Sequence, residues 1–286
     1  MARPKIGIFG ALVAVGGVLA LRWAQKHRAA QARLAGELRK DHLKRTYGFV
    51  NAVDLVHDAD AQQALRTWIG AGMNIGNHTW SHPSLTDVSA AAYEQEIARD
   101  EPALRQYAGR RDWHWFRYPY LEEGNNRQKR DGVRAWLHRH RYRIAEVTLT
   151  FQDDDWSDPY GRCLVRHDRA AIAWLEQSYL QNAAEFIQLG REEQEIAFGR
   201  EIPNVLLLHE TAFTARMLPS LVRLLRQQGF RFAALAKVER NPAYSLDPGT
   251  GYAYDGSISN QFLNEHRLGY PPFTPEPVQR LNSICR

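Results

Sequence analysis

The feature that most constrains this fold is a repeated alternation between short apolar segments and longer amphipathic segments. Between residues 29 and 235, at least five strand-like segments alternate with helical segments, and the connections between them are short. Such alternation is typical of a parallel sheet or barrel with helices packed outside it. We therefore predict an α/β fold whose functional residues lie at the carboxyl ends of the strands.

The apolar periodicity predicts the individual elements. The predicted strands are Tyr47–Val50, Met73–Gly76, Trp113–Phe116, Tyr142–Leu149, Asn204–His209 and Phe230–Leu235. The predicted helices are Ala29–Lys44, Ala61–Ala71, a helix capped by Ser89, Arg130–His138, Ala170–Phe198 and a helix opened by Pro219. Because the chain is rich in Pro and Gly after Asn241, we predict an irregular tail over residues 246–286.

An uninterrupted apolar run, Ile6–Leu21, follows Arg3 and Lys5 near the amino end. We interpret residues 1–25 as a targeting or anchoring segment that makes the protein membrane-anchored or exported. The run is shorter than the ~20 residues of a membrane-spanning helix and close to the length of a signal-peptide core. The basic flank that follows it argues against export. Two alternatives remain: a cytoplasmic protein, or a first buried strand at Lys5–Ala11.

Composition and charge exclude several classes of protein. The chain of 286 residues is 44% hydrophobic and 24% charged, which excludes disorder and a polytopic membrane protein. Its net charge of +5 is concentrated in residues 1–45, and the remaining body is mildly acidic. We therefore expect no nucleic-acid partner. The two cysteines, Cys163 and Cys285, stand far apart, so we expect neither a disulfide framework nor a cysteine zinc site, and any metal must use His and carboxylates.

Polar side chains follow four of the predicted strands. His78 and His82 come directly after Met73–Gly76, and this spacing places two imidazoles on one face if the segment turns helically. Arg117, Asp153 and His209 follow three later strands. Taken singly, these are equally well explained as polar loop histidines, a surface arginine, a solvated acidic turn and a satisfied core histidine. Their shared position after successive strands favours a common site.

In chain order these residues resemble the motifs of the polysaccharide deacetylases, the NodB-homology proteins of carbohydrate esterase family 4. The motifs are H-x-x-x-H (His78, His82), R-x-P (Arg117, Pro119), D-x-x-W (Asp153, Trp156) and L-x-L-H, which ends at His209. The resemblance covers about residues 45–245, and we assign residues 26–245 to this domain. It implies a NodB-like distorted (β/α) barrel that removes acetyl groups from N-acetylated sugars with a divalent metal, commonly zinc.

The resemblance also implies a role for each site residue. His78 and His82 would bind the metal, Arg117 would orient the catalytic carboxylate, and His209 would donate a proton to the leaving amine. Asp153 would tune the pKa of His209, while Leu207, Tyr120 and Trp156 would contact the substrate. The implied partner is an N-acetylated glycan, with membrane contact only through residues 6–21.

One motif of the family is missing from the chain. The family's Thr-Phe-Asp-Asp strand end, which supplies the general base and the third metal ligand, has no counterpart before the helix Ala29–Lys44. Asp54, Asp58 and Asp60 belong to the next strand-to-helix connection, so they are weak substitutes. Three hypotheses follow: a metal-dependent deacetylase of weak or absent activity, a non-catalytic glycan-binding relative, or a chain with a mis-assigned start.

Overall fold

Four parallel strands form the sheet in the computed structural model, which describes residues 32–40, 43, 46–249, 256–272 and 278–286. The strands are β1 (Tyr47–Val50), β2 (Asn74–Asn77), β3 (Trp115–Phe116) and β4 (Arg143–Ile144), in the spatial order β1-β2-β3-β4. Each strand therefore lies beside its neighbours in sequence, and an isolated parallel bridge joins Leu149 to Leu206 farther along. The predicted α/β class with parallel strands is confirmed, and the sheet is open rather than closed over these residues.

Ten α-helical segments accompany the strands within the described residues. They are α1 (32–40), α2 (Ala59–Gly70), α3 (Ala90–Ala108), α4 (Arg127–Arg139), α5 (Ser157–Val165), α6 (Arg169–Phe198), α7 (Ala212–Gln227), α8 (Leu235–Val238), α9 (Ile258–Glu265) and α10 (Val278–Ser283).

Side-chain caps fix where several helices begin. The Ser89 hydroxyl accepts the amide N–H of Ala92 at the start of α3, as its place in the sequence predicts. Asp58, Asn126 and Asp168 cap α2, α4 and α6 in the same way. Their side chains accept hydrogen bonds from backbone N–H groups of the first helical turn, which have no carbonyl partner within the helix.

Helices α1 to α4 bury their apolar faces in one core cluster against the sheet. The cluster includes Leu38, Trp68, Ile97 and Leu137. Gly76 in β2 allows β3 to approach closely, because a Cβ at this position would lie 2.6 Å from the carbonyl oxygen of Trp115. The described helices that precede β1 to β4 thus cover one face of the sheet.

A second core cluster lies among α5, α6 and α7. It contains Tyr160, Tyr179 and Phe213, and the rings of Tyr179 and Phe213 meet edge-on with centroids 5.4 Å apart. Trp156 belongs to this cluster. The 3₁₀ turn Asp153–Trp156 therefore rests on packed aromatic side chains, which hold its acidic end in place.

Three predicted elements differ in the structure. Tyr142–Leu149 is strand only at Arg143–Ile144, Asn204–His209 contributes only the bridge at Leu206, and residues 230–234 are not strand. A strand needs a hydrogen-bonding neighbour, and residues 230–234 have none among the described residues. Helix α7 also begins earlier than Pro219, because Thr211 caps it and the helix continues through the proline.

The C-terminal segment is less irregular than its composition suggests. Helix α9 begins at a Ser257 cap and buries Ile258 and Leu263, and it packs beside α6. Cys285 forms a disulfide with Cys163 in α5 across 122 residues. We expected no disulfide framework because the two cysteines stand far apart in the sequence, but the chain returns to α5 and brings them together in a disulfide.

None of the helices in the described part of the chain is long and apolar enough to cross a membrane. The run Ile6–Leu21, and with it the interpretation of residues 1–25 as a targeting segment, lies outside the described residues.

Candidate active site

His78 and His82 lie side by side where β2 ends. Their ring centroids are 4.7 Å apart and the rings meet edge-on. The Nδ1 atom of His78 lies 2.7 Å from the carbonyl oxygen of Arg117. With Nδ1 bonded to the backbone, Nε2 of His78 is left as the atom for a ligand, an arrangement typical of metal-binding histidines.

Burial keeps the His78 ring neutral. Burial, together with the smaller effects of the charges of His82, Arg117 and His209, lowers the pKa of His78 to about 3, and the bond to the Arg117 carbonyl opposes them. Burial and the charge of His209 also lower the pKa of His82, while that of Asp54 raises it. A metal binds the neutral imidazole, so both rings are in the form that a metal requires at neutral pH.

His209 and Asp153 form a second pair in the structure. Nδ1 of His209 lies 2.8 Å from a carboxylate oxygen of Asp153, which is fully buried. Asp153 also accepts the amide N–H of His209 and the hydroxyl of Thr214. The carboxylate is therefore held on three sides, and it fixes the His209 ring with Nε2 free to face a substrate.

We expect His209 to titrate above the ordinary range of a histidine. Burial alone would lower the pKa of His209, but the hydrogen bond that its ring donates to Asp153 and the charges of the acidic run outweigh it and raise the pKa. Asp153→Asn removes the paired charge, so the pKa of His209 should fall. Imidazole NMR titration measures both values, and the exposed Asp158 gives the matched control Asp158→Asn. A pKa of His209 unchanged by Asp153→Asn would contradict the pairing.

Arg117 follows β3, and its side chain is buried. Its Nε donates to the carbonyl oxygen of Ala145, and the guanidinium lies 4.5 Å from the ring centroid of Phe49. Burial lowers the pKa of Arg117 to about 10, while the charges of Glu239 and Glu146 oppose it. The predicted role of orienting a catalytic carboxylate stays a prediction.

The predicted substrate contacts fall in different environments. Tyr120 is 55% exposed, and its ring meets the edge of His82 with centroids 4.6 Å apart. Trp156 is only 2% exposed and donates its indole N–H to Ser178. Trp156 therefore packs in the core instead of lining the site as expected, since the face of this short turn was not evident from the sequence. Leu207 is half-buried beside the bridge to Leu149, and its substrate role stays a prediction.

Strained backbone marks the same region. In the described part of the chain, nine non-glycine residues have positive φ, and five of them lie in the loops that carry the site: Thr79, His82, Tyr120, Leu121 and Gln152. Such conformations cost energy and concentrate at functional sites.

Sequence reasoning missed Asp100, which lies in α3 behind the histidine pair. Its carboxylate accepts the amide N–H of Ala52, and burial raises the pKa of Asp100 to about 8. This side chain joins the loop after β1 to the helix beneath the site. Its position on the buried face of α3 was the available signal.

The residues described here do not complete a catalytic metal centre at the histidine pair. A catalytic zinc usually has three protein ligands, and His78 and His82 supply two. Among the described residues, the group of three donors close enough to share an ion is Asp153, Asp154 and His209, where the imidazole already pairs with Asp153. Among the described residues, no carboxylate joins His78 and His82 in such a group.

The family resemblance is confirmed by comparison with known proteins. Residues 21–138 match the family model described as polysaccharide deacetylase. The match includes β1, β2, β3 and the histidine pair, and it begins before α1. Residues 21–138 are thus similar to the polysaccharide deacetylases.

Solved structures of carbohydrate esterase family 4 share the fold. The chitin deacetylase of the fungal pathogen Colletotrichum lindemuthianum is 18% identical, with a TM-score of 0.52 over 73% of this chain and 81% of that one. A family 4 pseudoenzyme from Bacillus anthracis is 16% identical, with a TM-score of 0.51 over 74% of this chain. The present chain spans 60% of that pseudoenzyme's length. At these identities the likeness establishes the fold.

Proposed function

We propose that this chain binds N-acetylated glycans at the site formed by His78, His82, Tyr120 and His209, and hydrolyses their acetyl-amide bonds weakly or not at all. The proposal rests on a difference between the two halves of the site. The pair of His209 and Asp153 is fully built, whereas the described residues offer the histidine pair no third ligand. Amide hydrolysis requires both a proton donor for the leaving amine and an activated water.

The pair of His209 and Asp153 is suited to donate a proton to a leaving amine. The raised pKa of His209 keeps its ring protonated closer to neutral pH, and Asp153 on Nδ1 directs the proton on Nε2 outward. The His209 side chain is 47% exposed, so a ligand can reach it. This half of the site can hold a proton near an amide nitrogen, and it does not by itself activate water.

Zinc is the cofactor that we propose for the histidine pair, bound weakly. Two neutral imidazoles suit zinc, but a two-ligand site holds the ion less firmly than a three-ligand site. We derive no catalytic step through this ion because the described donors do not complete its coordination.

Tyr120 is the side chain that we expect to bind the sugar ring. Its exposed face beside His82 offers apolar area with a polar tip. Tyr120→Ala should weaken the binding of N-acetylglucosamine oligomers roughly tenfold, corresponding to about 1.4 kcal/mol, as measured by calorimetry. The control is Tyr270→Ala, at an exposed tyrosine on the C-terminal segment. Equal affinities for the wild type and Tyr120→Ala, or no binding by the wild type, would contradict the proposal.

A second candidate function is a working deacetylase that uses a substitute carboxylate. The observation that favours it is Asp54, whose charge is near enough to raise the pKa of His82. Asp54 lies in the 3₁₀ turn Ala52–Leu55, directly after β1.

We also propose that the protein works in an oxidising compartment. The support is the disulfide between Cys163 and Cys285, because such bonds persist mainly outside the reducing cytosol. Non-reducing peptide mapping of protein recovered from cells tests this. Free thiols at both positions would contradict it.

A further inference from the structure

Basic side chains collect where the chain leads into β3 and β4. Eight exposed Arg and His residues lie in the last turns of α3, in the loop before β3, around the end of α4 and in β4: Arg105, Arg110, Arg111, His138, Arg139, His140, Arg141 and Arg143. We call these eight residues the arginine patch. Because the body of the chain is mildly acidic as a whole, the patch is a local concentration of positive charge.

Contacts between the two segments make the arginine patch continuous. The guanidinium of Arg143 in β4 pairs with Asp112 in the loop before β3. The ring of Tyr142 lies near the rings of Trp113 and Trp136, with centroids 6.0 and 6.4 Å away. The basic side chains before β3 and those before β4 thus belong to one surface.

Half of the arginines in the patch have uncompensated charges. Arg105 lies 3.8 Å from Glu101, Arg111 donates to two backbone carbonyl groups, and Arg143 pairs with Asp112. The described residues give no ion pair to the other three, which are exposed: Arg110, Arg139 and Arg141. These three guanidinium groups can therefore meet anionic groups of a partner without breaking a contact inside the protein.

The arginine patch lies at the opposite edge of the sheet from the candidate active site. Its residues precede or begin β3 and β4, whereas His78 follows β2 and Arg117 follows β3. All four strands are parallel, so their amino ends share one edge of the sheet and their carboxyl ends share the other. A partner on the patch therefore leaves the histidine pair open to its own ligand.

The residue types of the patch select the kind of anion. Its strong cations are all arginines, and no lysine occurs in residues 103–115 or 134–143. A guanidinium binds a carboxylate or a phosphate through two parallel hydrogen bonds, whereas a lysine acts as a point charge. None of the large apolar side chains exposed in the described part of the chain belongs to the patch, so it lacks residues that would enter a bilayer. The patch thus fits separate carboxylate or phosphate groups on a hydrophilic chain.

We propose that the arginine patch binds a polyanionic glycan, a polysaccharide whose sugar units carry carboxylate or phosphate groups. The proposal rests on the proposed glycan-binding function and adds a second contact with the same class of polymer, away from the histidine pair. A nucleic acid also carries phosphates, but the mildly acidic body of the chain disfavours it. The patch would hold acidic units of a glycan while the candidate active site binds N-acetylated units.

Calorimetry of the full chain with polygalacturonate tests the proposal. This polymer carries a carboxylate on every sugar and no acetamide group, so its binding does not depend on the histidine pair. We expect the wild type to bind polygalacturonate, to lose affinity as sodium chloride is added, and not to bind the fully methyl-esterified polymer. Dextran phosphate is the corresponding probe for phosphate groups, and the tighter of the two identifies the preferred anion.

Arg141→Gly removes one charge of the patch without a cost in stability. Arg141 follows α4 with a φ of 64°, a left-handed conformation that favours glycine. We expect affinity for the preferred polymer to fall roughly threefold to fivefold, with a melting temperature no lower than that of the wild type. The matched control is Arg267→Gly, because Arg267 follows α9 with a φ of 52° and lies near the pair of Glu265 and Arg127, at the other end of α4. It should bind as the wild type does.

Three results would overturn the proposal. The first is a wild type that binds neither polygalacturonate nor dextran phosphate. The second is equal affinity of Arg141→Gly and Arg267→Gly, which would show attraction to the net charge of the chain instead of to the patch. The third is tighter binding of phosphatidylglycerol vesicles or of a DNA oligonucleotide, lost in Arg141→Gly, which would assign the patch to a membrane or a nucleic acid.

Failure of this proposal and failure of the proposed function are distinguishable. Arg141→Gly should leave the binding of N-acetylglucosamine oligomers unchanged, and Tyr120→Ala should leave the binding of polygalacturonate unchanged. A wild type that binds the oligomers but neither anionic polymer would contradict only the role of the patch.

Discussion

Acetate release from N-acetylated chito-oligosaccharides by the full chain should be far slower than ordinary enzyme turnover, even with added zinc or cobalt. Removing a general base typically costs 10²–10⁴-fold in rate, and weak metal binding lowers the rate further. Ordinary turnover numbers lie near 1–10³ per second. We therefore expect a value below about 0.1 per second in an acetate-coupled assay.

A turnover number in the ordinary range would refute this prediction and favour the second candidate function. Asp54→Asn would then identify the substitute carboxylate, because the charge of Asp54 acts on His82. Asp60→Asn, in the first turn of α2, is the matched control. Loss of the activity in Asp54→Asn alone would assign the base to Asp54.

Loss of the Cys163–Cys285 disulfide should cause the largest fall in stability. The bond joins α5 to the C-terminal end across 122 residues, and Cys163 is fully buried. Cross-links that close long loops typically contribute about 2–4 kcal/mol, chiefly by restricting the unfolded chain. The double variant Cys163→Ala/Cys285→Ala should therefore lose about that much free energy of unfolding, measured by urea denaturation.

Reduction of the wild type supplies the control for this experiment. Dithiothreitol should lower the stability of the wild type to about that of the double variant and leave the double variant itself unchanged. Without the disulfide, Arg162 of α5 can still donate a hydrogen bond to the carbonyl oxygen of Leu281 in the C-terminal helix. The variant should therefore keep this contact between α5 and α10. A wild-type unfolding midpoint that does not respond to reductant would contradict the prediction.

Local signals predicted the elements whose structure depends on their own residues. The strand Tyr47–Val50 and the Ser89 cap of α3 are observed as predicted, because apolar spacing and a cap side chain act within a few residues. Residues 230–234 were predicted as a strand and are not one. A strand needs a neighbouring strand to pair with, and residues 230–234 instead line a cavity together with Tyr47 and Phe49 of β1.

The site was predictable where a strand end alone determines a residue's position. His78 and His82 lie together at the end of β2, as their spacing after a strand predicts, and the charge of His209 acts on both. The burial of Trp156 was not predictable, because the packing of α6 and α7 decides which face of its turn meets the core. Pairing of Cys163 with Cys285 depended on the path of the C-terminal segment, which composition did not reveal.

Equilibrium dialysis of the full chain against zinc tests the central claim most directly. If the histidine pair lacks a third ligand, zinc should bind with a dissociation constant of roughly micromolar or weaker, and His78→Ala should abolish that binding. Asp158→Asn, at an exposed carboxylate of α5, should bind as the wild type does. One zinc per chain held at nanomolar free zinc and lost in His78→Ala would show a complete metal centre and contradict the account.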